Sequence, residues 1–344
     1  MDVPSWVWAA TVAGVLGLLV FDFYAHVRTP HEPTFRESGF WSAVYIGLAI
    51  LFGVGLLLIW GSAHGGEYFA GYVTEKSLSV DNLFVFLIIM TRFAVPRAYQ
   101  QKVLLVGVAI ALLLRGLFIW AGAAAIANLS WVFYIFGAFL IYTAVKLARE
   151  DHDSEAPEEF RENRLLRLVR RVVPSTPEYH SDRLTVVKAG RRLATPMLIV
   201  MVAIGSTDVI FALDSIPAIF GLTKEPYIVF TTNVFALLGL RQLYFLLGGL
   251  LQRLVYLSEG LSVVLGFIGV KLVLEALHTN EVPFVNGGEP VAWAPEIPIW
   301  LSLAIILGTL TVATVASLIT TRRAARAAGA EQVPVRPGSP SKQD

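Results

Sequence analysis

Two segments of the chain carry acids at matched spacing inside apolar runs. Glu75 and Asp81 stand six residues apart in 74–82, which runs on into LFVFLIIM at 83–90. Asp208 and Asp214 stand six apart in 207–215, which runs on into IPAIF at 216–220. A small polar residue, Asn82 or Ser215, follows the second acid each time. Ionisable groups inside membrane-length apolar runs are costly and mark ion or proton paths. Carboxylate, amide and hydroxyl oxygens suit hard divalent cations such as Mg²⁺, Ca²⁺ and Mn²⁺. Four acids with one adjacent cation, Lys76, call for a divalent cation or protons as their partners. The chemistry these residues point to is therefore binding and passage of a cation.

Helix geometry places these groups. A six-residue step rises about 9 Å and turns about 120°, so the two acids of one segment do not share a face. Glu75 with Asn82, and Asp208 with Ser215, are seven apart and do. If the two helices run in opposite directions, Glu75 and Asp214 form an outer layer and Asp81 and Asp208 an inner one. Gly205 and Pro217 could free backbone carbonyls to join them.

The elements that must hold this site are membrane helices. The chain has 344 residues, 56% hydrophobic and 15% charged, against roughly a quarter charged in soluble domains. The expected fold is an all-α polytopic membrane protein. About nine spans of bilayer length are predicted near 6–25, 40–61, 68–93, 102–125, 129–148, 195–221, 226–250, 258–277 and 297–319. Lys and Arg crowd the 1–2, 3–4, 5–6 and 7–8 connections and the tail, while Lys224 stands alone on the other side. That asymmetry predicts an N-terminus outside and a C-terminus in the cytoplasm of a bacterial-type inner membrane. Residues 1–8 hold no Lys or Arg and do not read as a cleaved signal.

The likeness extends beyond the acids. VAIALLLRGLF at 108–118 matches VFALLGLRQLY at 234–244, aligning Arg115 with Arg241, and Lys146 and Glu150 match Lys271 and Glu275. Spans 3–5 (about 67–150) thus repeat as spans 6–8 (about 195–278). Three helices per unit invert the second copy, a common transporter plan with a site between the copies. Arg115, Arg241 and Lys76 read as counter-ions or gates. Asp22 and, at the outer mouth, Glu67 with His64 read as accessory groups.

The remaining segments set limits. The chain has no cysteine, which excludes disulfides, thiolate metal sites and thiol catalysis. No nucleophile–base pair, nucleotide-binding motif or nucleic-acid platform is visible, so an enzyme, an ATP-driven pump and a nucleic-acid binder are not expected. In the loop 149–194, residues 158–173 read as a basic amphipathic helix, and 183–192 as a hairpin turning at Ala189-Gly190. This basic stretch, 158–192, fits an anionic inner leaflet. The tail, 321–344, reads as disordered.

Residues 67–86, 179–182, 191–196, 206–220 and 232–245 resemble the TerC/Alx family of membrane proteins, and the likeness covers roughly 5–320. The resemblance implies export of Mn²⁺ as transported substrate, with no bound cofactor. It carries the family's acidic motif onto Glu75, Asp81, Asp208 and Asp214, with Asn82 and Ser215 beside them and Asn233 in the 232–245 segment. One position departs: the family pattern has a Glu three residues before the first acid of the second motif, where this chain has Gly205. The competing expectations are an exporter of a cationic amino acid or a tellurium compound, and a membrane scaffold in a stress-resistance or protein-insertion complex.

Overall fold

A computed structural model of the chain describes residues 1–27, 31–129, 131–153, 176, 178–180, 183–188, 191–247, 255–280, 282–283, 285–291 and 293–331. The fold is helical, with one small hairpin. The helices are α1 (Ser5–Asp22, extended by a π turn Phe23–Val27), α2 (Phe35–Trp60), α3 (Ser62–Arg92), α4 (Arg97–Asn128) and α5 (Val132–Asp153). Strands β1 (Thr185–Lys188) and β2 (Arg191–Ala194) follow. Then come α6 (Pro196–Phe220), α7 (Pro226–Leu237), α8 (Leu240–Leu247), α9 (Leu257–His278) and α10 (Ile299–Glu331).

Local chemistry sets several boundaries. Thr34 and Glu37 form a reciprocal capping box that starts α2, satisfying two N–H groups with no helical partner. Gly61, at φ 92°, ends α2 in a conformation that glycine adopts without penalty. Pro196 and Pro226 open α6 and α7, where a missing N–H costs nothing. In the hairpin, Lys188 pairs with Arg191, and the expected turn at Ala189-Gly190 lies outside the described residues.

Eight spans among the described residues are long and apolar enough to cross a membrane, so this is an integral multi-pass membrane protein. The ninth expected span, α3, has 31 residues but carries Glu67, Glu75, Lys76, Asp81 and Arg92, and it is not among the eight. Burial separates centre from rim. In the apolar 18-residue stretch of each span, 83% of residues are buried for Pro226–Leu246 and 61% for Pro196–Phe220, against 11% for Ser5–Ala25 and 17% for Ile299–Arg323. Rim residues such as Leu58, Leu113 and Val312 remain exposed, as a lipid-facing surface requires.

α3 packs on α6 and α7, α4 on α6 and α7, and α5 along α9. Gly107 and Gly122 of α4 abut Ile204 and Phe220 of α6, so these two helices run parallel. α3 runs against both: its Leu83 and Phe86 cluster with Met197 and Ile204, and its Ala70 with Ala218. Gly137 and Gly269 let α5 and α9 meet backbone to backbone; a Cβ on Gly137 would lie 2.9 Å from the Gly269 carbonyl oxygen.

Four expectations need correction or lie outside what is described. The span 226–250 is not one helix: the chain leaves helical geometry at Leu238 (ψ 130°) and Gly239 (φ 79°) before α8. Gly205 and Pro217 do not interrupt α6, because flanking turns keep it helical across both. α10 continues to Glu331, past the expected start of a disordered tail at 321, since RRAARAAGA is rich in good helix formers. The basic helix at 158–173 and residues 332–344 lie outside the described residues.

Candidate functional site

Arg115, near the middle of α4, is the largest side chain with almost no exposure, at 1%. Its guanidinium collects groups from three other helices. Nη1 donates to Glu75 Oε1 of α3 and, at 2.8 Å, to Asn233 Oδ1 of α7. Nη2 and Nε donate to Asp208 Oδ1 and Oδ2 of α6 at 3.3 and 3.5 Å. Asn233 Nδ2 donates to the Val229 carbonyl at 2.9 Å, which turns the amide oxygen toward Arg115. Glu75, Asp208 and Asn233 are exposed by 0%, 1% and 1%. Burying three ions is costly, and such clusters persist only with near-complete hydrogen bonding. The planar fork of Arg meets that need better than Lys.

Hydrogen bonding here is incomplete on one side. Glu75 Oε2, Thr74 Oγ1 and Ser79 Oγ of α3, and Ser215 Oγ of α6, are buried with no hydrogen-bond partner among the described residues. Each such atom costs about 1–3 kcal/mol. Glu75, Ser79 and Asn82, at positions i, i+4 and i+7, share one face of α3. These are hard-cation donors of the expected kind. Thr74 and Ser79 were not singled out in the sequence, although Ser79, one turn on from Glu75, falls within the face that Glu75 shares with Asn82.

The expected residues separate into groups. Glu75 and Asp208 converge. Asp214 does not join Glu75; about 120° around α6 from Asp208, it accepts from Thr143 Oγ1 of α5 at 3.2 Å. The proposed outer layer is therefore not formed. Asn82 and Ser215 are buried. Asp81 lies on α3, and its side chain is outside the described residues. Among the described residues no three His, Asp or Glu side chains stand close enough to hold a metal together.

Lys76, the next residue after Glu75, points elsewhere. Its Nζ donates to the carbonyls of Ala236 at 2.9 Å and Leu238 at 3.4 Å, where α7 ends. A cation at a helix C-terminus offsets the dipole and satisfies carbonyls that the break leaves open. Arg241, the match of Arg115, forms a second cluster. It donates to Asp22 Oδ1 at 2.8 Å and Gln101 Oε1 at 3.0 Å, and Tyr45 Oη donates to the same Asp22 oxygen at 2.8 Å. Asp22 is thus the counter-ion of Arg241, away from the Glu75–Asp208 pair. Glu67 accepts from Thr223 at 2.7 Å and contacts His64 at 3.3 Å near the start of α3.

A bundle of membrane helices with two carboxylates from different helices clasped on a guanidinium at its centre defines an integral membrane protein with a buried charged cluster. The family model described as "Integral membrane protein TerC family" matches residues 60–325, and the chain belongs to that family. It is 49% identical over 323 residues to an uncharacterized membrane protein of Mycobacterium tuberculosis, spanning 94% of this chain and 81% of the relative. It is 42% identical over 317 residues to an uncharacterized membrane protein of Myxococcus xanthus, spanning 92% and 93%. It is 36% identical over 312 residues to Alx of Escherichia coli, spanning 88% and 91%; the name of that protein describes a proposed membrane-bound redox modulator. No solved structure matches the chain.

Proposed function

We propose that this protein is a secondary transporter that exports a divalent cation, Mn²⁺ first among them, coupled to inward protons. The observation that carries the reading is the meeting of Glu75 and Asp208 on one buried guanidinium. These are the first acids of the two matched segments, and they come from antiparallel helices. A purely structural ion pair would not need two copied acidic segments to build it.

The packing supports an inverted repeat. With α3, α4 and α5 matched to α6, α7–α8 and α9, the contact of α3 with α7 answers that of α6 with α4. The contact of α5 with α6 answers that of α9 with α3. Alternating access by rocking one unit against the other would then expose the carboxylates to each side in turn. α3 crosses as a ninth span in this reading, its charges turned into the bundle. The N-terminus lies outside and the C-terminus in the cytoplasm.

Moving a 2+ ion outward against 100 mV, inside negative, costs about 4.6 kcal/mol, from roughly 2.3 per charge. Without a nucleotide motif, that work comes from another gradient. Carboxylates that take up a proton as the metal leaves provide the exchange. A redox role of the kind in the Alx name would not run through thiols here, because the chain has no cysteine.

The test is intracellular manganese, by elemental analysis, in an exporter-deficient bacterium. The strain carries either the wild-type chain or Glu75→Gln with Asp208→Asn, at equal membrane expression. Wild type should lower manganese and restore tolerance, and the variant should do neither. Manganese unchanged by both removes Mn²⁺ as the substrate; a parallel screen of other divalent metals and of cationic amino acids then decides the cargo.

A further inference from the structure

Arg115 stands where a cation would have to sit. It contacts three of the four carboxylate oxygens of Glu75 and Asp208, leaving only Glu75 Oε2 without a partner. We propose that Arg115 is an internal stand-in for the transported cation: its guanidinium and the ion compete for these carboxylates, so loading expels it and unloading draws it back. The inference rests on the exporter reading and deepens it.

Charge supports exchange over coexistence. Two carboxylates and one guanidinium sum to −1, and two carboxylates and a divalent cation sum to zero. All four together would place a guanidinium against a 2+ ion in a low-dielectric interior, where repulsion is weakly screened. Geometry supports it as well. An arriving ion can first engage Glu75 Oε2 without breaking any contact of Arg115. The orphaned oxygens of Thr74 and Ser79 lie on the same helix, ready to add donors. Once the carboxylates are taken, Asn233 Oδ1 remains as a neutral acceptor that keeps the guanidinium from being stranded.

The return leg needs the stand-in. A buried carboxylate left without a proton when the cation departs would hold the carrier back by its desolvation cost, and Arg115 offsets that cost. Arg241 has no such role, because Asp22 and Gln101 already hold it.

A guanidinium that only ties helices together and one that competes with the cargo predict opposite signs. A competitor lowers apparent affinity by the fraction of time it holds the site. The experiment titrates Mn²⁺ alone into the full-length protein in nanodiscs and follows free Mn²⁺ by electron paramagnetic resonance. Arg115→Met should bind Mn²⁺ at least about tenfold more tightly than wild type, while export in cells falls. Where Arg115→Met does not fold, Asp208→Asn/Arg115→Met is compared with Asp208→Asn alone. The double variant restores the formal charge of −1 and should bind more tightly. Equal or weaker binding on removing Arg115, in whichever background folds, overturns the inference. If Glu75→Gln/Asp208→Asn still weakens binding in that case, the exporter reading stands alone. If that carboxylate variant binds Mn²⁺ as wild type does, the exporter site and the inference fall together. Binding by Arg115→Met with none detectable in wild type supports the inference, and no binding by either overturns it.

Discussion

Asp22 and Arg241 lie 219 residues apart and still form a buried ion contact at 2.8 Å. Both are buried, so removing one partner leaves an uncompensated charge, a change that costs about 3–5 kcal/mol. Asp22→Ala should therefore lower the melting point in detergent markedly. Asp22→Ala with Arg241→Met should cost less than the sum of the two single changes, read as a double-mutant cycle. Gly205, where the resemblance implies a Glu, is tightly packed. A Cβ there would sit 3.1 Å from Ile110 Cγ2 of α4. Gly205→Glu should destabilise by about 1–3 kcal/mol through overpacking. Adding Ile110→Ala should recover part of the loss, measured as thermal midpoints of the three proteins. At this scale much was legible in the sequence. Glu75, Asp208 and Arg115 stand out as charges in apolar runs, and the structure joins them. What was hidden is pairing: nothing in the spacing of Asp22, Gln101 or Thr143 says which charged residue each will meet across the fold.

The break between α7 and α8 is the main feature that hydropathy concealed. TTNVFALLGLRQLYF is apolar on average despite Asn233 and Arg241, and a lone Gly is tolerated in many helices, so the pattern reads as a single span. The structure shows why the break sits at Gly239: its φ of 79° suits glycine, and Tyr45 of α2 packs against it. Gly239→Ala meets both obstacles, with a Cβ 3.0 Å from Tyr45 Cβ. The left-handed conformation alone costs roughly 1–2 kcal/mol, and the contact adds to it. The expected outcome is a lower melting point together with impaired export. Equal stability with wild type would show that α7 and α8 can join into a continuous helix. By contrast, the starts of α6 and α7 were legible, because Pro196 and Pro226 are local signals that act without tertiary help; α2 begins at Phe35, five residues before the expected 40, on the Thr34–Glu37 capping box.

For the whole molecule, α3 decides the topology. Eight crossings put both ends of the chain on one side of the membrane, and nine put them on opposite sides. Its composition withholds α3 from the apolar set, yet Tyr68, Ala70, Thr74, Glu75, Ser79 and Leu83 are buried inside the bundle. A helix whose charges face protein can cross where its average hydropathy says otherwise. Reporter fusions after Tyr24 and after Ile319 are separated by eight crossings if α3 spans and should therefore both report the cytoplasm; opposite compartments would remove α3 as a span. The seam between α5 and α9 has a mechanical consequence for such a molecule. At Gly137 and Gly269 the two backbones leave no space even for a methyl group, so these helices cannot slide deeper into each other there. If the two halves tilt during a cycle, that seam is the fulcrum. The guanidinium clasp, built from α3, α4, α6 and α7, then rides on the moving arms, and a few degrees of tilt at the seam become ångströms of opening at the carboxylates.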